Sequence, residues 1–167
     1  MKYLHNKRLQ KGFTLVELLL ATALMSGFLI VLTTIFGSAL EMQSENQASS
    51  AVSQDGRYIL ARMSYDVQRA SAVTTPASLG GSGSTLAVTI SAVSNTYSIN
   101  SGNLRLVNGS GTNNLNGSAT TISALSVQRL GNVGGRDTIR LSFTVTSKVL
   151  SAGATESQTF TTTVGRR

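Results

Sequence analysis

A single glutamate, Glu17, is the one charged residue in an otherwise apolar run from Phe13 to Leu40. The run exceeds the ~20 residues that a helix needs to cross a bilayer, so the sequence predicts a membrane-spanning helix. A carboxylate inside hydrocarbon costs roughly 2.5–3.5 kcal/mol at a helix centre and less near an end. Such a group is usually functional, and the chemistry that it offers here is an ion pair with an amine.

The position of Glu17 indicates where that amine comes from. Glu17 falls in the first predicted helical turn, where the positive end of the helix dipole favours a carboxylate. Cutting the chain before Phe13 would create a free α-ammonium one turn away, at i and i+4. The ion pair could then form within one chain or between neighbouring chains packed side by side.

The residues around this junction resemble a known signature. The stretch from Lys11 to Glu17, KGFTLVE, is similar to the signature of type IV prepilins and type II secretion pseudopilins. The resemblance implies that a membrane peptidase cuts after Gly12 and methylates the new amine of Phe13. It also implies that Glu17 pairs with a neighbour's amine during filament assembly. The resemblance is specific over residues 11–40 and only architectural beyond them.

Two other interpretations of the apolar run compete with this one. An ordinary secretory signal has a shorter apolar region of about 7–15 residues and a cut after small residues, for which Gly37-Ser38-Ala39 would serve. The run is too long for that, and Glu17 would interrupt it near its start. A simple membrane anchor accounts for the length but leaves the Gly-Phe-Thr-Leu-Val-Glu junction as a coincidence.

Charge and composition predict the topology. Residues 1–12 carry four of the fourteen basic residues and no acidic one, so their removal lowers the formal charge from +7 to +3. Basic residues before the span, with Glu41 and Glu45 after it, predict a cytoplasmic N-terminus and an exported C-terminal domain. We therefore expect a single-pass protein of the cytoplasmic (inner) membrane that later enters an extracellular or periplasmic filament. The chain has no cysteine, so its domain must be held together by packing.

A helical stripe continues beyond the apolar run. Val52, Ile59, Met63 and Val67 or Ala70 recur at three-, four- and seven-residue spacings, which predicts an amphipathic helix that packs its apolar stripe against a sheet. We expect this continuation to span residues 41–76, with the helix itself ending at about Ala72. Asp55-Gly56 is its expected weak point, because glycine in a helix interior costs about 1 kcal/mol relative to alanine. We expect the helix to continue through Gly56, where a kink could form.

Alternating apolar and polar residues then predict short strands. The clearest alternation places Ile139, Leu141, Phe143 and Val145 on one face, and Asn100-Ser101-Gly102-Asn103 has the signature of a hairpin turn. Residues 79–85 and 108–118 are expected to be loops. The predicted fold class is α+β, with a long N-terminal helix packed on a small antiparallel sheet in one layer pair.

The sequence thus divides into four segments. They are a leader peptide at 1–12, a transmembrane and assembly helix at 13–40, an amphipathic continuation at 41–76, and an exported β domain at 77–167.

Catalytic chemistry is not expected. No nucleophile, base and acid can be combined without cysteine, and the only histidine, His5, falls in the predicted leader. The scattered carboxylates show no metal-binding spacing, so we expect no metal, no cofactor and no enzyme activity. Arg129, Arg136 and Arg140 could form a ligand surface for phosphates, although solvated arginines are the better interpretation because few aromatics are present to stack on bases.

The sequence therefore favours a structural subunit, a minor pilin or pseudopilin of a type IV pilus or type II secretion-like filament. Thr34 stands where many major pilins have a proline, and the segment RYILARMSYDVQRASAV is similar to the helix of W- and J-type minor pilins. The resemblance implies several partners: other pilins or pseudopilins, a prepilin peptidase, an inner-membrane assembly platform and membrane lipid. The alternatives are a ligand-binding pilin, acting as an adhesin or in DNA uptake, and a single-pass surface protein that does not polymerise.

Overall fold

The computed structural model describes residues 12–131, 133–151 and 154–167. One helix, α1 (Leu15–Arg69), precedes a series of strands. The strands are β1 (Ala72–Thr75), β2 (Ser82–Gly83), β3 (Thr85–Ile90), β4 (Val93–Asn100), β5 (Asn103–Asn108), β6 (Gly111–Asn114), β7 (Thr120–Leu130), β8 (Thr138–Ser151) and β9 (Ala154–Gly165). The chain divides into two compact units between Leu40 and Glu41. The predicted leader lies almost wholly outside the described residues.

The first unit contains the apolar half of α1. By length and composition, α1 is the one helix in the described part of the chain that could cross a bilayer, and its most apolar window is exposed. Five hydroxyl side chains interrupt the apolar surface, and each donates a hydrogen bond to a carbonyl oxygen three or four residues earlier: Thr22, Ser26, Thr33, Thr34 and Ser38. These local bonds leave no hydroxyl hydrogen unsatisfied in lipid, where an unpaired polar group is costly.

The second unit confirms the α+β class and the antiparallel pairing, but it contains two sheets where one was expected. One sheet has the strand order β1-β3-β4-β5-β6, and the other has the order β2-β7-β8-β9. After β6 the chain leaves the first sheet through Leu115 and Asn116, which are both buried. These two residues turn the chain inward before β7, so β7 starts a separate sheet instead of extending the first.

One core joins the second half of α1 to both sheets. Its helical members include the stripe residues Val52, Ile59, Met63 and Val67, each at most 1 % exposed. From the sheets come the fully buried side chains Leu86, Val88, Tyr97, Leu104, Ile139, Leu141, Phe143 and Val145. The alternation expected for residues 139–145 is confirmed, because Ile139, Leu141, Phe143 and Val145 of β8 all lie in this core.

The helix ends earlier than the predicted segment 41–76 and slightly before Ala72. It stops at Arg69, and strand β1 begins at Ala72. Val73, Thr74 and Thr75 are β-branched, and Pro76 cannot donate a helical hydrogen bond, so the local sequence disfavours further helix. The N–H of Ser71 instead donates to the carbonyl of Thr89 at 2.8 Å, which starts the pairing of β1 with β3.

The turns were predicted unevenly. The hairpin at Asn100–Asn103 is confirmed between β4 and β5, with Ser101 and Gly102 at positive φ. The two expected loops each contain a short strand, because β2 pairs with β7 and β6 pairs with β5. The Gly, Ser and Asn residues of these stretches favoured a loop prediction. They pair as strands nevertheless, because β propensity depends strongly on context.

Candidate functional site

The start of α1 positions the junction identified from sequence. Thr14 precedes the helix, and its Oγ1 accepts a hydrogen bond from the N–H of Glu17 at 3.3 Å. The N–H of Leu18 donates to the carbonyl of Thr14 at 3.1 Å. Thr14 is thus the N-cap of the helix, and Glu17 is its third helical residue. The Thr-x-x-Glu pattern of a capping box is a sequence signal for this start that the prediction from the apolar run left unused.

Glu17 and Phe13 are both open to the surroundings. The Phe13 side chain is 82 % exposed, and Gly12 and Phe13 lie just before the helix. In the described ranges, no cation lies within ion-pair distance of the Glu17 carboxylate. The residues at i and i+4 project to one side of a helix. This arrangement presents a carboxylate at the positive end of an exposed apolar helix, where it can pair with an ammonium group.

A second carboxylate, Asp66, is buried where α1 contacts β4. Its Oδ2 accepts hydrogen bonds from the Tyr97 hydroxyl and from Asn95 Nδ2, the latter at 3.0 Å, and lies 3.5 Å from Arg62 Nε. Desolvation by burial, together with the hydrogen bond to Asp66, raises the pKa of the Tyr97 hydroxyl well above its ordinary value. The cluster fastens the helix to the sheet.

Arg129 has an internal role that the sequence did not predict. Its Nε and Nη2 contact Asp137 Oδ1 at 2.9 and 2.8 Å, and its Nη1 donates to the carbonyls of Val73, Pro76 and Ala77 at 2.7–3.2 Å. Arg166 Nε lies 3.5 Å from Asp137 Oδ2. The guanidinium of Arg129 therefore holds the segment after β1 in place and is not available for the ligand surface suggested from sequence.

The other two arginines of that suggested surface, Arg136 and Arg140, are exposed. The polar stretch 108–118 is less open than expected, because Asn116 is only 8 % exposed and Asp55 accepts hydrogen bonds from Gly117 N–H and Thr120 Oγ1. The structure therefore leaves two of the three arginines on the surface and anchors one end of the loop to α1.

Metal-ligand groups and surface depressions are the remaining features of the described residues that bear on ligand binding. No group of three His, Cys, Asp or Glu side chains is found there that could hold a metal ion. Two open depressions lie along α1, one lined by Leu29, Ile30, Thr33 and Thr34, the other by Ser50, Ser53, Gln54 and Arg57. Neither gathers the convergent acid, base and nucleophile that an active site requires.

Comparison with known families identifies the N-terminal segment. Residues 7–36 match the family model described as the prokaryotic N-terminal methylation motif, which is the motif of the type IV prepilin leader. No curated protein and no solved structure shows a significant match to the chain. The resemblance to prepilins is thereby confirmed, and the long apolar helix fits pilin-like proteins.

The motif supports a processed subunit similar to type IV pilins and pseudopilins, a group whose role is structural. It implies in general terms assembly with other pilins and processing by a prepilin peptidase. The apolar helix indicates a membrane-anchored chain that carries a C-terminal globular domain.

Proposed function

We propose that this chain is stored in the cytoplasmic membrane and then built into a filament as a structural subunit of a type IV pilus or a type II secretion-like system. The observation that carries the proposal is Glu17 in the first turn of an exposed apolar helix, four residues after Phe13. In a filament of packed helices, this carboxylate would meet the α-ammonium of a neighbouring subunit in low dielectric. The pair would fix the axial register of the helices.

Processing before Phe13 is the step that creates this ammonium. A peptidase cut after Gly12 followed by methylation would give a mature chain of residues 13–167 with one additional methyl group. Intact-mass measurement of the protein from cells with the prepilin peptidase tests the proposal, with peptidase-deficient cells as the control. A mature chain that starts near Leu40 in both strains would instead indicate an ordinary signal peptide.

A minor role in the filament is the finer part of the proposal. Thr34 takes the position where many major pilins have a proline, and its hydroxyl donates to the Ile30 carbonyl at 2.7 Å within an uninterrupted helix. Tip-capping subunits of secretion systems typically lack the glutamate, so the presence of Glu17 supports a place below the tip. Quantifying the chain in purified filaments decides this point, because a minor subunit should be far less abundant than the bulk subunit.

A binding role is the second candidate, and one feature favours it. Tyr58 and Tyr65 are 52 % and 51 % exposed and lie about two turns apart on α1. The Arg69 guanidinium lies over the Tyr65 ring at 5.0 Å from its centroid. Exposed aromatic rings beside arginines suit single-stranded nucleic acid, whose bases stack while the phosphates pair with cations. Salt-dependent binding of single-stranded DNA that is lost in a Tyr58→Ala, Tyr65→Ala variant would favour this role.

A further inference from the structure

Two identical tripeptides, Asn108-Gly109-Ser110 and Asn116-Gly117-Ser118, occupy contrasting environments. The first forms the turn between β5 and β6, where Asn108 pairs with Gly111 and both turn residues are exposed. The second follows β6, and its asparagine is buried at 8 % exposure. The same local sequence is therefore present once in an open turn and once in an enclosed one.

An Asn-Gly sequence can undergo a reaction within its own backbone. The glycine nitrogen attacks the asparagine Cγ, a C–N bond forms, the bond from Cγ to Nδ2 breaks, and the nitrogen's proton leaves with the amide group as ammonia. Water then adds to either carbonyl of the resulting cyclic imide and opens it to aspartate or isoaspartate. Glycine allows the attack because it has no Cβ to obstruct the approach. No other reactant is needed.

The turn at Asn108 favours this reaction. The N–H of Ser110 donates to Asn108 Oδ1 at 3.0 Å, so a donor already lies on the oxygen that becomes negative during the attack. Within the described residues, no acceptor takes the N–H of Gly109. The attacking nitrogen is therefore free to lose its proton to solvent.

The environment of Asn116 opposes the reaction at both nitrogens. The N–H of Gly117 donates to Asp55 Oδ2 at 2.9 Å, and its deprotonation would place negative charge beside a carboxylate. The leaving Nδ2 donates to Asn103 Oδ1 at 3.1 Å, to the Gly117 carbonyl at 3.3 Å and to the Thr120 carbonyl at 3.1 Å. Asn116 Oδ1 also accepts a bond, from the Leu104 N–H, so the two sites do not differ at this oxygen.

We propose that Asn108 is a site of spontaneous deamidation and isoaspartate formation, and that the fold protects Asn116 from the same reaction. The product places a new carboxylate on the exposed turn between β5 and β6. The charge of the exported domain surface then becomes more negative by one as the protein ages. This inference does not depend on the proposed filament role.

The test follows both asparagines in one sample. The full chain, in detergent micelles, is incubated at mildly alkaline pH and cleaved after arginine, which releases residues 106–129 as one peptide with both sites. Fragment masses should show the replacement of NH by O accumulating at Asn108, with Asn116 unchanged. An unchanged Asn108, or equal conversion at the two positions, overturns the proposal.

Two controls separate sequence from structure. Gly109→Ala should abolish conversion over the same time course, and it should fold normally because its Cβ would lie at an ordinary 3.4 Å from Val93 Cγ1, at a φ outside the left-handed region. In urea, where the hydrogen bonds are gone, Asn116 should convert as fast as Asn108. A persistent preference for Asn108 in the unfolded chain would show that the turn geometry is not its cause, and the proposal would be wrong.

Discussion

The aromatic ring of Phe160 in β9 lies directly against the backbone of Gly56 in α1. A Cβ atom at residue 56 would lie only 2.1 Å from Phe160 Cζ and 2.2 Å from Cε2. The ring also stacks on Phe143, with centroids 5.8 Å apart. Gly56 was the expected weak point of a continuous helix, and the helix does continue through it. The missing side chain allows β9 to approach α1.

Gly56→Ala should therefore destabilise the C-terminal domain even though alanine is the better helix former. The propensity gain is about 1 kcal/mol, whereas forcing a methyl group into a packed core typically costs about 1–3 kcal/mol or more. Thermal unfolding followed by circular dichroism should show a lower midpoint. Adding Phe160→Leu should recover part of the loss, and an unchanged midpoint in the single variant would contradict the tight contact.

Tyr97→Phe should alter how stability depends on alkaline pH. Burial and the Asp66 hydrogen bond raise the pKa of Tyr97 in the folded protein. Below pH about 10 the Tyr97 hydroxyl keeps its proton in both the folded and the unfolded protein, so its contribution to stability is complete. Above that pH the hydroxyl ionises first in the unfolded chain, so the free energy of unfolding falls as pH rises. Denaturant unfolding from pH 8 to 11 should show a steeper decline for the wild type than for Tyr97→Phe. The exposed Tyr65→Phe should follow the wild type.

Arg129→Gln should destabilise the domain far more than Arg140→Gln. Loss of the Arg129 guanidinium leaves the buried Asp137 carboxylate with only Arg166 as an ion-pair partner. It also removes the hydrogen-bond donor of three carbonyls near Pro76. Breaking a buried ion pair by removing one partner costs roughly 3–5 kcal/mol. Substitution of the exposed Arg140 should change the free energy of unfolding by no more than about 0.5 kcal/mol. Equal effects in urea unfolding would mean that Arg129 is solvated instead of structural.

Glu17→Ala should leave membrane insertion intact or improve it, because a charge is removed from the apolar segment. It should nevertheless reduce incorporation into filaments, since a neighbouring ammonium would lose its partner in low dielectric. Membrane fractionation and the amount of the chain in sheared filaments measure the two effects separately. Ser26→Ala is the matched control, because that hydroxyl bonds only to the Ala23 carbonyl of its own helix. Normal assembly of the Glu17→Ala variant would exclude the assigned role.

Several features were determined by the sequence alone, because they depend on neighbours within one or two helical turns or on a period of two. The apolar run with Glu17 near its start required no tertiary information. The stripe Val52, Ile59, Met63 and Val67 identified the face of α1 that lies in the core, and the alternation at residues 139–145 identified β8. A helix or strand with one buried face has apolar residues at a regular spacing, and this spacing can be read from the sequence.

Only the tertiary structure decided the features that depend on residues far apart in the chain. The need for glycine at residue 56 comes from the Phe160 ring, which fills the space of a side chain. The structural role of Arg129 comes from its contacts with Asp137 and with the carbonyls near Pro76. The split into two sheets comes from the buried turn at Leu115 and Asn116. A glycine, an arginine or an Asn-Gly-Ser turn has the same local signature whether it is buried or solvated. Whether such a residue is buried or solvated depends on a contact residue that lies from 8 to over 100 positions away in the chain. A single contact of this kind produces no periodic pattern in the sequence.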